Sequence, residues 1–189
     1  MGYNEAFLHR AKEKFSLEHA VDYFLNAERC AKLGRYDDAI IRLYRLCEYV
    51  AQLKIKEKEL YKDEATDDLD IEKLPENLRT KYEKYRDERD KKVKLGLDLD
   101  YKLLQDLCDP LGIFYSKKRE EFKKMEGIRN QSVLAHGLNP LDKSSYETVY
   151  GLVRQIIGKI KIDDSLFQKG RFPELKQERI KEWFFELPK

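Results

Sequence analysis

Cysteine, glycine and proline are scarce in this chain of 189 residues, which contains three, nine and five of them. Cys30, Cys47 and Cys108 are an odd number with no close pair. This pattern argues against a disulfide framework and a zinc ribbon, and it fits a reducing cytosol. We expect all three cysteines to fill the core. The small number of glycines and prolines leaves few breaks in secondary structure.

A long apolar run and an excess of one charge are also missing. No segment approaches the roughly 20 apolar residues needed to span a bilayer, and no basic-then-apolar leader opens the chain. We therefore expect a soluble, cytoplasmic protein without membrane contact. The formal net charge of +2 comes from 38 basic and 36 acidic side chains. This balance argues against a protein that grips long nucleic acids by charge alone, but it allows brief contact with a short strand.

Metal-ligand patterns do not occur either. His9 and His19 lie in separate segments, and no cysteine or carboxylate near them repeats the spacing of a metal site. The sequence therefore predicts neither a metal ion nor another cofactor.

Helical periodicity is what the sequence does contain. Hydrophobic residues make up 41% and aromatic residues 12% of the chain, enough for one core, so the 39% of charged residues indicate a solvated exterior. Apolar stripes recur at helical spacing, and Ser16 and Gly34 are placed to begin and end the first helix of a hairpin. We predict one all-α domain over residues 1–189, a bundle of about five or six helices. The charged stretch near residues 60–100 is predicted to be a helical excursion that contributes little to the core.

The most informative segment is RNQSVLAHG, from Arg129 to Gly137. The periodicity predicts a helix from near Tyr115 to Ala135, which Gly137 helps to end. On a helix, residues seven apart differ in direction by only about 20° and in height by roughly 10 Å. Arg129 and His136 would therefore share one face, with Asn130 beside them. A fixed cation, a group that exchanges protons near neutral pH and an amide together suit chemistry on a phosphodiester.

Each of these residues also has a simpler interpretation. His136 could satisfy hydrogen bonds at a helix end, and Arg129 could be half of a surface ion pair. Lys123 and Lys124 could hold an RNA backbone near the site. Because acidic residues alternate with these lysines, an ordinary solvated helix face is about equally compatible with the pattern.

The Arg129–Asn130 pair, the ending Ala135-His136-Gly137 and the six residues between arginine and histidine resemble the signature of the HEPN ribonuclease superfamily. The most similar group is the HEPN domain of the type III CRISPR ancillary ribonucleases. Upstream, the segment from Gly34 to Ile40, the run from Arg42 to Arg45 and Glu48 are similar to the helix pair that precedes the motif in that group.

The resemblance implies an all-α HEPN bundle and a metal-independent endoribonuclease in CRISPR-linked antiviral defence. In such an enzyme the ribose 2′-hydroxyl attacks the adjacent phosphorus, so single-stranded RNA is cut and DNA is not. Arg129 would stabilise charge on the phosphoryl oxygens, His136 would transfer protons or position the hydroxyl, and Asn130 would hold the geometry. How His136 and Arg129 divide the acid and base roles stays open. The family pairs two motifs across a twofold axis, which implies a homodimer with a composite site. The wide stripe from Tyr146 to Ile160 could pack partly against that second subunit.

Two alternatives stay open: a catalytically idle HEPN-like module for dimerisation or RNA binding, and the toxin of a toxin–antitoxin pair. The CRISPR-associated relatives also carry a Rossmann-like CARF sensor that binds cyclic oligoadenylate. No alternation of strands and helices precedes the bundle here, so we expect no CARF domain in this chain. Activation by cyclic oligoadenylate is expected only if such a domain exists elsewhere in a longer protein.

Overall fold

The computed structural model describes residues 5–13, 15–63, 67–135, 137–138 and 140–171. Within these residues the protein is all-helical, which confirms the predicted fold class, and its only β contacts are isolated bridges. The described residues form nine α-helices and one 3₁₀ turn, more than the five or six helices predicted, because several short helices connect the long ones. The helices are α1 Glu5–Ala11, α2 Leu17–Lys32, α3 Tyr36–Glu57, α4 Glu76–Glu83, α5 Leu97–Asp106, α6 Pro110–Lys117, α7 Arg119–Gln131, α8 Lys143–Lys159 and α9 Asp164–Gly170.

The hairpin of α2 and α3 is the centre of the bundle. Ser16 caps α2, since its hydroxyl accepts a hydrogen bond from the His19 N–H at 3.1 Å. Gly34 follows the helix with φ of +72°, a conformation that favours glycine. Helix α3 then packs against α2, α5, α7 and α8. The predicted hairpin and both of its local signals are confirmed.

The segment between α3 and α5 differs from the prediction. Only Glu76–Glu83 is α-helical there, with a 3₁₀ turn at Ile71–Lys73, and three antiparallel bridges hold the rest. The prediction of little core contribution is wrong as well. Single apolar residues between the charged ones turn inward and are buried, because the bridges fold the segment back on itself; they include Leu60, Leu69, Leu74, Tyr82 and Val93.

Two of the three cysteines occupy the core. Cys30 and Cys47 are buried, and the Cys47 Sγ lies 3.7 Å from the Met125 Sδ, where α3 meets α7. Cys108 is exposed, so the expectation that it fills the core is wrong. It follows α5 with φ of +54°, and this turn directs the chain into α6.

The apolar stripe of α8 is confirmed as core. Val149, Val153 and Ile156 are fully buried, and α8 packs mainly against α3. The monomer therefore covers most of this stripe itself, while Tyr146 and Tyr150 stay partly exposed. In the described part of the chain, every helix is too short or too polar to cross a bilayer.

Candidate active site

The helix that carries Arg129 ends earlier than the sequence predicts. Helix α6 ends at Lys117, α7 begins at Arg119, and α7 ends at Gln131 instead of Ala135. Ser132 has the extended ψ of 138°, and its N–H donates to the Arg129 carbonyl. The two-turn relation between Arg129 and His136 on one continuous helix is therefore wrong. His136 itself lies outside the described residues.

A carboxylate from α3 holds the segment that follows α7, residues 132–141, which we call the motif loop. The buried Ser132 hydroxyl donates to Asp37 Oδ1 at 2.7 Å, and the Val133 N–H donates to the same oxygen at 3.2 Å. At the other end of the loop, the Leu141 N–H donates to Asp37 Oδ2 at 2.9 Å. One side chain in the first turn of α3 therefore fixes both ends of the motif loop.

Asp37 lies in the segment from Gly34 to Ile40 that resembles the family, but this contact with the motif loop was not predicted from the sequence. The acidic pair Asp37–Asp38 was the available signal. Asp38 pairs with Arg35 and Arg42 on the surface of the hairpin, which leaves Asp37 for the motif loop. No feature of the sequence indicates which of the two would turn toward residue 132.

Gly137 is required by close packing of the motif loop. Its N–H donates to the Ser132 carbonyl at 2.8 Å. A Cβ at this position would lie 1.5 Å from the Gln131 carbonyl oxygen, a distance that no side chain can occupy. The glycine therefore lets the loop turn back against the end of α7, rather than ending a helix as the sequence suggested.

Arg129 and Asn130 lie together in the last turn of α7. Arg129 Nη1 donates to Asn130 Oδ1 at 2.8 Å, and the guanidinium carbon lies 4.8 Å from the centroid of the Tyr44 ring. Tyr44 is buried, and burial, followed by the charges of Glu48 and Glu126, raises its pKa to about 12. The ring is therefore uncharged at neutral pH and provides a stacking surface for the cation.

No carboxylate of the described residues forms an ion pair with Arg129, so the simpler interpretation of a surface ion pair does not apply to this part of the chain. Arg129 is partly buried, and Asn130 is exposed. A cation oriented by a ring and an amide, but not neutralised by an acid, retains its charge for an anionic ligand.

The two lysines proposed to contact RNA lie further from this pair. Lys123 forms an exposed ion pair with Glu120 at 3.0 Å, whereas Lys124 is exposed and makes no ion pair within the described residues. By helical geometry, both lysines point about 120–140° away from Arg129 around the axis of α7. The structure therefore brings Arg129 and Asn130 together, but it does not bring either lysine to them.

A cleft of about 510 Å³ opens beside the motif loop. Its walls come from the end of α7, the loop itself and the first turn of α8; they include Gln131, Gly137, Leu138, Asp142 and Ser145. No group of three or more histidine, cysteine or acidic side chains suited to a metal ion occurs within the described ranges.

Residues 9–159 of the chain match the family model described as the Csm6 HEPN domain. The chain belongs to this family of CRISPR-associated HEPN domains. The resemblance inferred from the motif and from the upstream helix pair is therefore confirmed, and the matched span of this Csm6-type HEPN domain extends from α2 through α8. A search of curated proteins and a search of solved structures found no match. That residues 1–189 form one such domain as a whole stays a prediction.

Proposed function

We propose that this HEPN domain is a metal-independent endoribonuclease that cuts single-stranded RNA in CRISPR-linked antiviral defence. Besides family membership, one observation carries the proposal. The Arg129 guanidinium is oriented by Tyr44 and Asn130, and no described carboxylate neutralises it. A preorganised cation of this kind is suited to the charge that develops on a phosphoryl group.

The proposed reaction is an internal transfer within the RNA strand. The 2′-hydroxyl oxygen attacks the adjacent phosphorus and loses its proton, while the bond to the 5′-oxygen breaks and that oxygen gains a proton. The products are a 2′,3′-cyclic phosphate and a 5′-hydroxyl. We assign the proton transfers or the positioning of the hydroxyl to His136, the stabilisation of the phosphoryl oxygens to Arg129 and their orientation to Asn130.

We further propose that the active form is a homodimer with a composite site. Apolar side chains are exposed on the motif loop: Val133 at 44%, Leu134 at 56% and Leu138 at 93%. Clustered exposed apolar residues mark interaction surfaces. An interface on the motif loops would bring two copies of Arg129 and His136 near one twofold axis.

The decisive experiment is incubation of the protein with end-labelled single-stranded RNA in the presence of EDTA. We expect cleavage that leaves cyclic phosphate ends, and no cleavage of DNA of the same sequence. His136→Ala should abolish cleavage and leave the helical circular dichroism spectrum unchanged. Equal cleavage by His136→Ala, or equal cleavage of DNA, would overturn the proposal. Binding of RNA without any cleavage would favour the idle module instead.

A further inference from the structure

A second cleft, of about 920 Å³, lies between the end of α2, the start of α3 and the first half of α8. Three partly exposed tyrosines form a row along it. The ring centroids of Tyr36 and Tyr146 are 6.0 Å apart, and those of Tyr146 and Tyr150 are 5.3 Å apart. We call this surface the tyrosine cleft.

The tyrosine cleft is rich in positive charge. Among the described residues one carboxylate lines it, that of Glu28, and this group accepts a hydrogen bond from the Tyr150 hydroxyl at 2.6 Å. Four cationic side chains line the same cleft: Arg29, Lys32, Lys143 and Arg171. Lys32 and Arg171 form no ion pair within the described residues, whereas Arg29 pairs with Asp22 at 3.4 Å and Lys143 pairs with Glu147 at 3.6 Å. The pair of Lys143 is exposed and therefore weak, so Lys32, Lys143 and Arg171 can bind another anion.

We propose that the tyrosine cleft binds single-stranded RNA, with bases stacked on the tyrosine rings and phosphates paired with the surrounding cations. Proteins that hold single strands combine these two features, an aromatic surface and a positive groove. The inference rests on the proposed function for the identity of the strand, and it adds the surface that holds the substrate.

The position of the tyrosine cleft connects it to the motif loop. Tyr36 directly precedes Asp37, the residue that holds the loop, and Lys143 lies two residues after Leu141, where the loop ends. The first turn of α8 separates the two clefts, with Asp142 and Ser145 on one side and Lys143 and Tyr146 on the other. A strand in the tyrosine cleft therefore needs to cross only one helical turn to reach the motif loop.

Charge also distinguishes RNA from a second copy of the chain as the occupant. Across a twofold axis the same surface faces itself. A cleft lined, in the described part of the chain, by four cationic side chains and one carboxylate would then face another of the same sign, which is unfavourable. A polyanion is the complementary partner.

The test is the binding of a fluorescent 2′-O-methyl RNA oligonucleotide, measured by anisotropy. This probe lacks the attacking hydroxyl, so binding is separated from cleavage. Tyr146→Ala should weaken binding by on the order of 10-fold, the effect of losing one stacked base. Tyr146→Phe should bind within about twofold of the parent, because it keeps the ring. Lys143→Ala should weaken binding in a salt-dependent way.

Tyr85→Ala and Lys84→Ala are matched controls. They remove an adjacent partly exposed tyrosine and exposed lysine from the turn that follows α4, and they should leave binding unchanged. Thermal melts of all variants should show retained folding.

If Tyr146→Ala and Lys143→Ala bind like the parent, or if Tyr146→Ala turns a dimer into a monomer in light scattering, the inference is overturned. If both variants lose binding while the parent cuts no RNA, the tyrosine cleft stands and only the proposed function fails. If the parent cuts RNA and the cleft variants bind normally, the proposed function stands and only the role of the tyrosine cleft fails.

Discussion

The Ser132 hydroxyl lies 2.7 Å from the Asp37 carboxylate, across a sequence separation of 95 residues. This hydrogen bond joins the start of α3 to the residue that directly follows α7. The same carboxylate also accepts hydrogen bonds from the N–H groups of Val133 and Leu141. The geometry of the motif loop therefore depends on a residue that the motif does not contain.

Asp37→Ala should therefore lower the cleavage rate constant kcat much more than it alters KM, because the motif loop loses its support while the tyrosine cleft stays intact. Loss of hydrogen bonds to a charged group should also lower the free energy of unfolding by about 1–3 kcal/mol. Single-turnover cleavage and urea denaturation would measure the two effects.

Asp38→Ala is the control for Asp37→Ala. It removes the neighbouring carboxylate, whose partners are the surface residues Arg35 and Arg42. It should lower the free energy of unfolding by less than about 1 kcal/mol. Similar losses of kcat in both variants would show that Asp37 has no special role.

Replacement of Arg129 separates charge from shape. Arg129→Ala should lose about 2–4 kcal/mol of transition-state stabilisation, which corresponds to roughly 30- to 1000-fold in kcat. Arg129→Lys should recover only part of this, because an ammonium cannot reproduce the planar group that lies over Tyr44 and reaches Asn130.

Asn130→Ala should reduce kcat less than Arg129→Ala does. Tyr44→Phe retains the ring and should be close to the parent, so a strong loss in Tyr44→Phe would argue against stacking as the role of this residue.

The dimer can be tested through the apolar residues of the motif loop. Light scattering should give twice the chain mass of 22.6 kDa. Leu138→Asp should shift the protein toward the monomer and reduce cleavage together with it. Leu33→Asp places the same charge on another exposed leucine, 73% exposed at the end of α2, and should leave the dimer intact. A parent protein that is monomeric at micromolar concentration would contradict the composite site.

The two lysines of α7 are expected to contribute unequally to RNA binding. Lys124 makes no ion pair in the described part of the chain, whereas Lys123 is already paired with Glu120. If α7 guides the strand, Lys124→Ala should reduce the slope of log K against log salt by about 0.7, the value for one phosphate contact on a single strand. Lys123→Ala should have a smaller effect. Unchanged slopes in both variants would indicate that this face of α7 contacts solvent and does not contact RNA.

The α2–α3 hairpin could be predicted because its signals are local. The cap at Ser16, the glycine at residue 34 and the apolar periodicity agree with one another. The segment before α5 could not be predicted in this way, because its buried apolar residues occur singly between charged residues. Their positions depend on contacts such as the Val93 N–H donating to the buried Asp68 carboxylate, 25 residues away.

The candidate site shows the same division. Residue types and spacing were sufficient to identify the segment from Arg129 to Gly137 and its family. The end of α7 was predicted wrongly because helical periodicity continues to Ala135, while the tertiary bonds to Asp37 draw Ser132 and Val133 out of the helix. Patterns in the local sequence cannot account for hydrogen bonds to a residue so far away in the chain.

Asp100 should make stability depend on pH. Its side chain is buried in the first turn of α5, and its Oδ2 has no hydrogen-bond partner in the described structure. Burial raises the pKa of this carboxyl well above its ordinary value of 3.8, and the charges of Glu48 and Asp67 raise it further. The folded state therefore keeps the proton at a pH where the unfolded state has lost it. The stabilisation from this group is complete below pH 3.8 and declines as the pH rises to the raised pKa.

Asp100→Asn should remove that decline, so its advantage over the parent in urea denaturation should grow from pH 4 upward. Asp98, in the same helical turn, gives the opposite control. Burial acts to raise its pKa, but hydrogen bonds from Lys102 and Tyr115 outweigh burial and lower the pKa. Asp98→Asn should therefore lose stability relative to the parent at neutral pH and approach it in acid. A constant difference between Asp100→Asn and the parent across the pH range would contradict the assignment.

The attachment of both ends of the motif loop to one distant carboxylate bears on how the motif could be transplanted. A designer who copied RNQSVLAHG onto the end of another helix would transfer every residue of the motif but not the Asp37 carboxylate that holds the motif loop. The glycine would still permit the tight turn, yet neither end of the loop would be attached. The smallest portable unit is therefore a pair of segments, the start of α3 together with the motif, and a scaffold that accepts both must place them side by side.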